Sequence, residues 1–265
     1  MTPLTHERHC DEIVEQADAL CALLDDAGPA ALGRRVPTCP DWNTEQLVRH
    51  LGESLRWIWH LVEQRGQEDP PRRDVPGVDG PGDAGELTGW LAGSARLLAG
   101  ALRSAGPAAV VWSWAWDAST GFWARRMCHE VLVHRADAVF ALHGIDTALG
   151  AYRVEPALAA DALDEWLRIV EFTAATENAP GPSGGATGTL RMQAADVPGA
   201  EWLIEIDGPR VRRRHAHEKA DAAVRAPLTA LLLGAVRRLP PRAALFEVTG
   251  DRGLLESWLD TATFG

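Results

Sequence analysis

Apolar residues recur at three- and four-residue spacing along the first part of the chain, a pattern typical of amphipathic helices. The first helix is predicted over Thr5–Asp26 and ends before Gly28. A second is predicted to begin at Asn43 and to run to about Gln64, because Asn43 and Gln46 have the spacing of a capping box. Three more helices are predicted over about Glu86–Ser104, Ser119–His143 and Glu155–Ala174.

Residues 110–116 break this pattern, because tryptophan occupies every second position there. Alternation with period two is typical of an extended chain, whose successive side chains point to opposite faces. It places three indole rings on one face, where they form a single wall: Trp112, Trp114 and Trp116.

The second part of the chain shows patterns typical of short strands. Two of them, Glu201–Asp207 and Arg210–Ala216, are separated by Gly208 and Pro209, which predicts a hairpin. The other elements predicted here are strands over Thr189–Ala194 and Ala244–Thr249, and helices over Leu228–Arg238 and Leu254–Thr261.

These patterns predict an α+β protein with two domains. Residues 1–150 are expected to form a helical bundle, and residues 151–265 a smaller mixed α+β domain. The stretch Thr176–Gly188 is rich in Gly, Pro, Ser and Thr, which is typical of a linker or a long loop.

The charge balance argues against nucleic acid and membranes as partners. Lys and Arg number 26 against 37 Asp and Glu, and the net charge of -11 repels phosphate backbones and anionic lipids. The basic run Arg210–His217 lies across the predicted hairpin from Glu201, Glu205 and Asp207, which favours a solvated, neutralised face. No apolar stretch approaches the ~20 residues of a membrane-spanning helix.

The N-terminal segment is polar and does not resemble a secretory signal, so we expect a cytoplasmic protein. None of the four cysteines is spaced as Cys-x-x-Cys, and we expect free thiols rather than disulfides or a zinc-cysteine site.

The fourth predicted helix contains the candidate chemistry. Glu130 and His134 are four residues apart, so they lie one turn from each other on one helix face and can reach a single cation. His129 and His134 are five apart, about 140° around the helix axis, and cannot chelate one ion together.

His50 lies near the apolar stripe of the second helix, and a bundle can bring it to this pair. Two imidazoles and one carboxylate suit zinc, with iron(II), nickel or manganese as other divalent candidates. The residues leave a second interpretation open, in which His50, Glu130 and His134 form a buried hydrogen-bond network without a metal.

Two segments that surround these residues, Val36–Gly52 and Arg126–Asp137, resemble the actinobacterial mycothiol-dependent maleylpyruvate isomerase family. A weaker resemblance at Phe246–Leu255 is to the small, sterol-carrier-like domain that ends proteins of that family. The resemblance implies a DinB-like four-helix bundle that binds metal, followed by the α+β domain.

By this resemblance, His50, Glu130 and His134 fall on the zinc ligands of the family, and mycothiol is the cosubstrate. The implied function is a zinc-dependent, mycothiol-using isomerase or S-transferase that acts on a small electrophile. A metal-dependent hydrolase that needs no thiol and a non-catalytic ligand-binding or regulatory protein remain alternatives, because the ligand set suits each of them.

Several other residues are candidates for the surroundings of the site. Asp137 lies three residues after His134 and can orient it, although an ion pair with Arg126 or Arg135 is the alternative. Glu53 has the same relation to His50. Trp57 and the tryptophans of residues 112–116 can line an apolar pocket or simply pack in the core. Arg225, Arg237 and Arg238 can bind a substrate carboxylate or lie on the solvated surface.

Overall fold

The structure is a computed structural model that describes residues 3–145, 150, 152–175, 186–240 and 244–262. Within these ranges it contains seven α-helices and one five-stranded sheet, which confirms the predicted α+β class. The chain divides into two compact units, one over Leu4–Tyr152 and the other over Arg153–Gly265. Most of the predicted linker, residues 176–185, lies outside the described residues.

The four long helices described in the first unit form a bundle. Helices α1 and α2 each pack against both α3 and α4, so that four apolar faces enclose one core. Leu47, Leu51, Leu55 and Ile58 of α2 form part of that core and are almost completely buried. The bounds are α1 His6–Ala27, α2 Thr44–Glu63, α3 Leu87–Ala105 and α4 Thr120–His143.

The helix ends agree with the signals in the sequence. Asn43 and Gln46 form the predicted capping box, in which each side chain accepts a hydrogen bond from the other residue's backbone N–H. Ser119 caps α4 by accepting from the backbone N–H of Phe122 at 3.2 Å. Gly144 ends the same helix with φ of 79°, a conformation that favours glycine. These caps fix where the helices begin and end, and therefore which residues face the core.

The tryptophans of residues 110–116 lie on a bent loop and not on the fully extended chain that their alternation predicts. The chain is a bent loop that is closed by an isolated bridge between Val110 and Ser119 rather than a strand. Trp112 contacts Trp57 and Trp123, with ring centroids 5.7 and 6.3 Å away. The indoles at 114 and 116 instead meet the ring at 122 edge to face. Bends at residues 114–116 interrupt the extended chain, and period two orients side chains only while the chain stays extended. The ring at 122 is itself in contact with Trp123, with ring centroids 5.1 Å apart, so these rings form one continuous aromatic cluster.

Over its described residues, the second unit is a mixed sheet with three helices, in the strand order β3-β2-β1-β4-β5. The predicted hairpin is present as β2 and β3, and β1 pairs with β2 antiparallel. The bounds are α5 Pro156–Ala174, β1 Thr187–Ala194, β2 Glu201–Asp207, β3 Arg210–Arg214, β4 Ala222–Ala226, α6 Leu228–Ala235, β5 Glu247–Gly250 and α7 Arg252–Thr261.

Strand β4 has no counterpart among the predicted elements. It lies parallel to β1, with Val224 opposite Met192, and antiparallel to β5. Three of its five residues are alanine beside one valine and one arginine, so its sequence has little of the β-branched character that marks strands. Tertiary pairing with β1 therefore determines this strand.

The basic run Arg210–His217 pairs with acids across the hairpin, as predicted. The Nε atom of Arg214 donates to Glu205 at 3.0 Å, and the Nδ1 atom of His217 lies 2.7 Å from a carboxylate oxygen of Glu201. Part of its charge is therefore neutralised within the hairpin. Among the described residues, no helix has both the length and the apolar character of a membrane span.

A close approach between α2 and α3 gives the first testable prediction. A Cβ atom on Gly52 would lie 2.1 Å from the indole ring of Trp90, well inside contact distance. We expect Gly52→Ala to destabilise the protein by about 1–3 kcal/mol, because the ring has to move in a packed bundle. Urea unfolding measures this change.

Gly93→Ala is the matched control, because Gly93 lies on α3 and nothing is within 4 Å of its added Cβ. There we expect a gain of up to ~1 kcal/mol from higher helix propensity. Equal effects of the two substitutions would show that the contact with Trp90 has no role.

Candidate metal centre

Helices α2 and α4 bring the three predicted ligand residues together. The capping box at the start of α2 places His50 in its second turn, and α2 packs directly against α4. The Nε2 atoms of His50 and His134 lie 3.5 and 3.2 Å from the same oxygen of Glu130, Oε1. One ligand atom from each residue lies within 4.8 Å of the other two. Two imidazole nitrogens and one carboxylate oxygen therefore converge on one point.

The other oxygen of Glu130 is held by a cation. The guanidinium of Arg126, one turn earlier on α4, donates to Oε2. Burial by itself raises the pKa of a carboxyl group, but the Arg126 charge and the hydrogen bonds of His134 and His50 outweigh burial and hold the pKa of Glu130 well below its usual range. Glu130 is therefore an anion whose Oε1 atom is directed between the two imidazoles.

His134 is held from its opposite side. Its Nδ1 atom lies 2.8 Å from Oδ2 of Asp137, which is completely buried, and since a carboxylate only accepts, the imidazole donates. Burial lowers the pKa of His134, but the hydrogen bonds to Asp137 and Glu130 prevail and raise it to about 9. The bond at Nδ1 leaves Nε2 facing the convergence point. A carboxylate in this position is the usual partner of a metal-ligating histidine.

The segment before α2 adds two side chains. The hydroxyl of Thr38 donates to the Oδ1 atom of Asp137 at 2.6 Å. The indole of Trp42 lies against both imidazoles, with ring centroids 4.8 Å from His50 and 6.1 Å from His134. A short turn shapes this segment, in which the backbone N–H at 36 donates to the carbonyl at 42.

The site is open on the His50 side. The side chain of His50 is 37% exposed and that of Glu130 25%, whereas that of His134 is only 8% exposed. A further ligand can therefore reach the convergence point from solvent. Three protein ligands with one accessible position are typical of catalytic rather than structural zinc sites.

Comparison with protein families identifies the bundle. Residues 13–139 match the sequence profile described as the mycothiol maleylpyruvate isomerase N-terminal domain. The bundle belongs to this family. The resemblance seen in the two motifs is thereby confirmed.

Solved structures are similar to this chain over nearly its whole length, not only over the bundle. They include the crystal structure of the mycothiol-dependent maleylpyruvate isomerase, with a TM-score of 0.58, and that of a histidine-to-alanine mutant, with a TM-score of 0.59. Each is 14% identical to this chain, covers 94% of it and is itself covered to 96%. At this identity the similarity shows a shared fold. The comparison with curated proteins found no match.

The structure gives the remaining candidates partners outside the cluster of His50, Glu130 and His134. Glu53 forms an ion pair with Arg72. His129 is buried and its ring meets that of His9 edge to face at 5.9 Å, so it points elsewhere on α4, as its position around the helix predicts. The three candidate arginines of the second unit have partners of their own: Arg225 pairs with Glu247, Arg237 donates to the carbonyl of Asp260 and Arg238 to that of Val236.

Three contacts of the site are absent from the sequence prediction. Arg126 was a candidate partner of Asp137, whereas the structure pairs it with Glu130. Spacing could have found this pair, because the two residues are four apart on one helix. Thr38 and Trp42 lie in the motif but outside any helix, and periodicity gives no direction for such side chains.

The raised pKa of His134 predicts how the stability of the metal-free protein depends on pH. The folded state binds this proton more tightly than the unfolded chain, whose His134 has a pKa of about 6.5. The stabilisation is complete below pH 6.5 and is lost as the pH rises through about 9. Chelator-treated protein should therefore lose about 2–3 kcal/mol between pH 6.5 and 9.5, measured by urea unfolding.

His134→Gln is the control, because it removes the titrating group and retains polar atoms at the same place. The variant should be less stable at pH 6.5 and should lack this component of the pH dependence. A wild type and a variant with parallel pH profiles would contradict the assignment.

Proposed function

We propose that the protein is a zinc-dependent enzyme that uses mycothiol as cosubstrate and acts on a small electrophile as an isomerase or S-transferase. The observation that carries this proposal is the convergence of His50, Glu130 and His134 on a point open to solvent. The family to which the bundle belongs, and the name of the similar solved isomerase, support mycothiol as the thiol.

The donor set fits the proposed metal. His50 and His134 would supply their Nε2 nitrogens and Glu130 its Oε1 oxygen, a combination that suits zinc and also accommodates other divalent ions. When bound, such an ion supplies Lewis acidity that lowers the pKa of a thiol and makes it a nucleophile near neutral pH.

The other residues of the site have distinct roles in this proposal. Asp137 holds the Nδ1 proton of His134 and keeps its Nε2 atom directed at the site. Arg126 holds Glu130 in place by its second oxygen. Trp42 covers one side of both imidazoles and excludes water there, so the open side by His50 is the approach for thiol and electrophile.

Isomerase and transferase chemistry begin with the same bond. The thiolate sulfur adds to one carbon of a conjugated double bond, and the π electron pair of that bond moves onto the electron-withdrawing group with which the double bond is conjugated. In an isomerase, rotation about the resulting single bond is followed by loss of the sulfur, so the thiol is regenerated. In an S-transferase the adduct takes up a proton and keeps the sulfur. Thiol consumption therefore distinguishes the two.

The first experiment on this proposal is metal analysis of the purified protein by elemental mass spectrometry. We expect about one zinc per chain in the unaltered protein and a loss of most of it in Glu130→Ala, because this change removes one of three protein ligands. Glu53→Ala is the matched control: it removes an acid one turn from His50 that pairs with Arg72 instead, and it should retain the metal. The absence of metal from all three proteins would favour the hydrogen-bond network without a metal.

The second experiment is an activity screen of conjugated electrophiles with mycothiol. We expect turnover that requires added thiol. In His50→Ala turnover should fall by more than about 10–100-fold, which is the loss typical when a residue that only hydrogen-bonds to a metal ligand is changed. Turnover without thiol would contradict the thiol role and indicate a metal-dependent hydrolase. A metal-loaded protein that turns over none of the electrophiles would favour the non-catalytic, ligand-binding alternative.

A further inference from the structure

The hydroxyl group of Thr38 lies beside Asp137, next to the candidate metal ligands but not among them. It lies on the segment before α2, far in sequence from α4, and donates to the Oδ1 atom of Asp137 at 2.6 Å. The same carboxylate binds Nδ1 of His134 through Oδ2 at 2.8 Å. Thr38, Asp137 and His134 thus form a continuous chain of hydrogen bonds that ends at the Nδ1 atom of a candidate ligand residue.

This geometry restrains the plane of the Asp137 carboxylate from both of its oxygens, and the thiol of Cys39 lies 3.9 Å from Oδ2, on the same side as His134. A carboxylate bound through one oxygen can turn about its Cβ–Cγ bond, whereas one bound through both oxygens has a fixed plane. Asp137 is completely buried, so no bulk water is present to take over the hydrogen bond of Thr38. The plane of Asp137 in turn sets the orientation of the His134 ring, because the Nδ1–H bond has to point at Oδ2.

We propose that Thr38 is a positioning residue for metal binding, which acts by fixing Asp137 and, through it, the direction of the His134 Nε2 atom. The inference rests on the proposed function only in requiring a metal at His50, Glu130 and His134. It concerns affinity for the ion and not the identity of the thiol or of the electrophile. Outer-shell partners of this kind contribute about 10–100-fold to metal affinity, and Thr38 is expected near the lower end because it acts through Asp137.

The test is a competition titration of Zn²⁺ between the full-length protein and a chromophoric chelator at fixed pH. Thr38→Val keeps the shape of the side chain and removes the donor, so we expect its dissociation constant to rise about tenfold. Thr38→Ser retains the hydroxyl and should restore an affinity within about twofold of the unaltered chain. Thermal unfolding of each metal-free protein shows whether the variants remain folded.

Thr44→Val is the matched control for general damage to this region. The buried hydroxyl of Thr44, at the start of α2, shares its one hydrogen between the carbonyls of Ala31 and Arg34, at 2.8 and 2.9 Å, and its partners do not include Asp137. This variant should lose stability while retaining zinc affinity. A merely structural role for Thr38 predicts equal losses of affinity in Thr38→Val and Thr44→Val.

The outcomes separate this inference from the proposed function. An unaltered zinc affinity in Thr38→Val, a failure of Thr38→Ser to restore it, or an equal loss in Thr44→Val would each overturn the positioning role while the proposed function stands. An unaltered chain that binds no Zn²⁺ would overturn both. A tenfold loss in Thr38→Val alone, restored by Thr38→Ser, would establish it.

Discussion

A carboxylate held between two imidazoles and a guanidinium is the interaction on which the rest of the site depends. Glu130 lies on α4 among groups that all favour its charged form, and Arg126 satisfies one of its oxygens. The remaining oxygen faces His50 and His134 and concentrates negative charge where a cation would sit. The family match identifies the bundle, and the geometry of this chain shows which three side chains converge.

The helical part of the fold follows from local signals in the sequence. The capping box at Asn43, the cap at Ser119 and the glycines that end the helices all act within a few residues, so one sequence is enough to predict them. The pairing of Glu130 with His134 follows in the same way, from the helical repeat. The approach of His50 depends on the packing of α2 against α4; the apolar stripe of α2 made it possible in a bundle, and the family resemblance then favoured it.

The features that sequence analysis missed depend on contacts between distant parts of the chain. Strand β4 is rich in alanine and is a strand because β1 and β5 pair with it. Thr38 reaches Asp137 across 99 positions, and no local pattern indicates that contact. The tryptophan alternation at 110–116 was misleading for a related reason: bends in a loop, and not the pleat of a strand, decide which ring meets which.

The contact of Gly52 with Trp90 has a consequence for the metal site itself. Gly52 lies two positions after His50, which places the two residues about 200° apart around the axis, on nearly opposite sides of α2. The indole against Gly52 leaves no room for a larger side chain, so it sets how far α2 can approach α3 and how far it can rotate about its own axis. The direction of His50 is thereby determined from the far side of its helix. A slip of α2 that brought Leu51 against the indole would turn His50 away from Glu130. The glycine at position 52 therefore determines the direction of the candidate ligand at position 50.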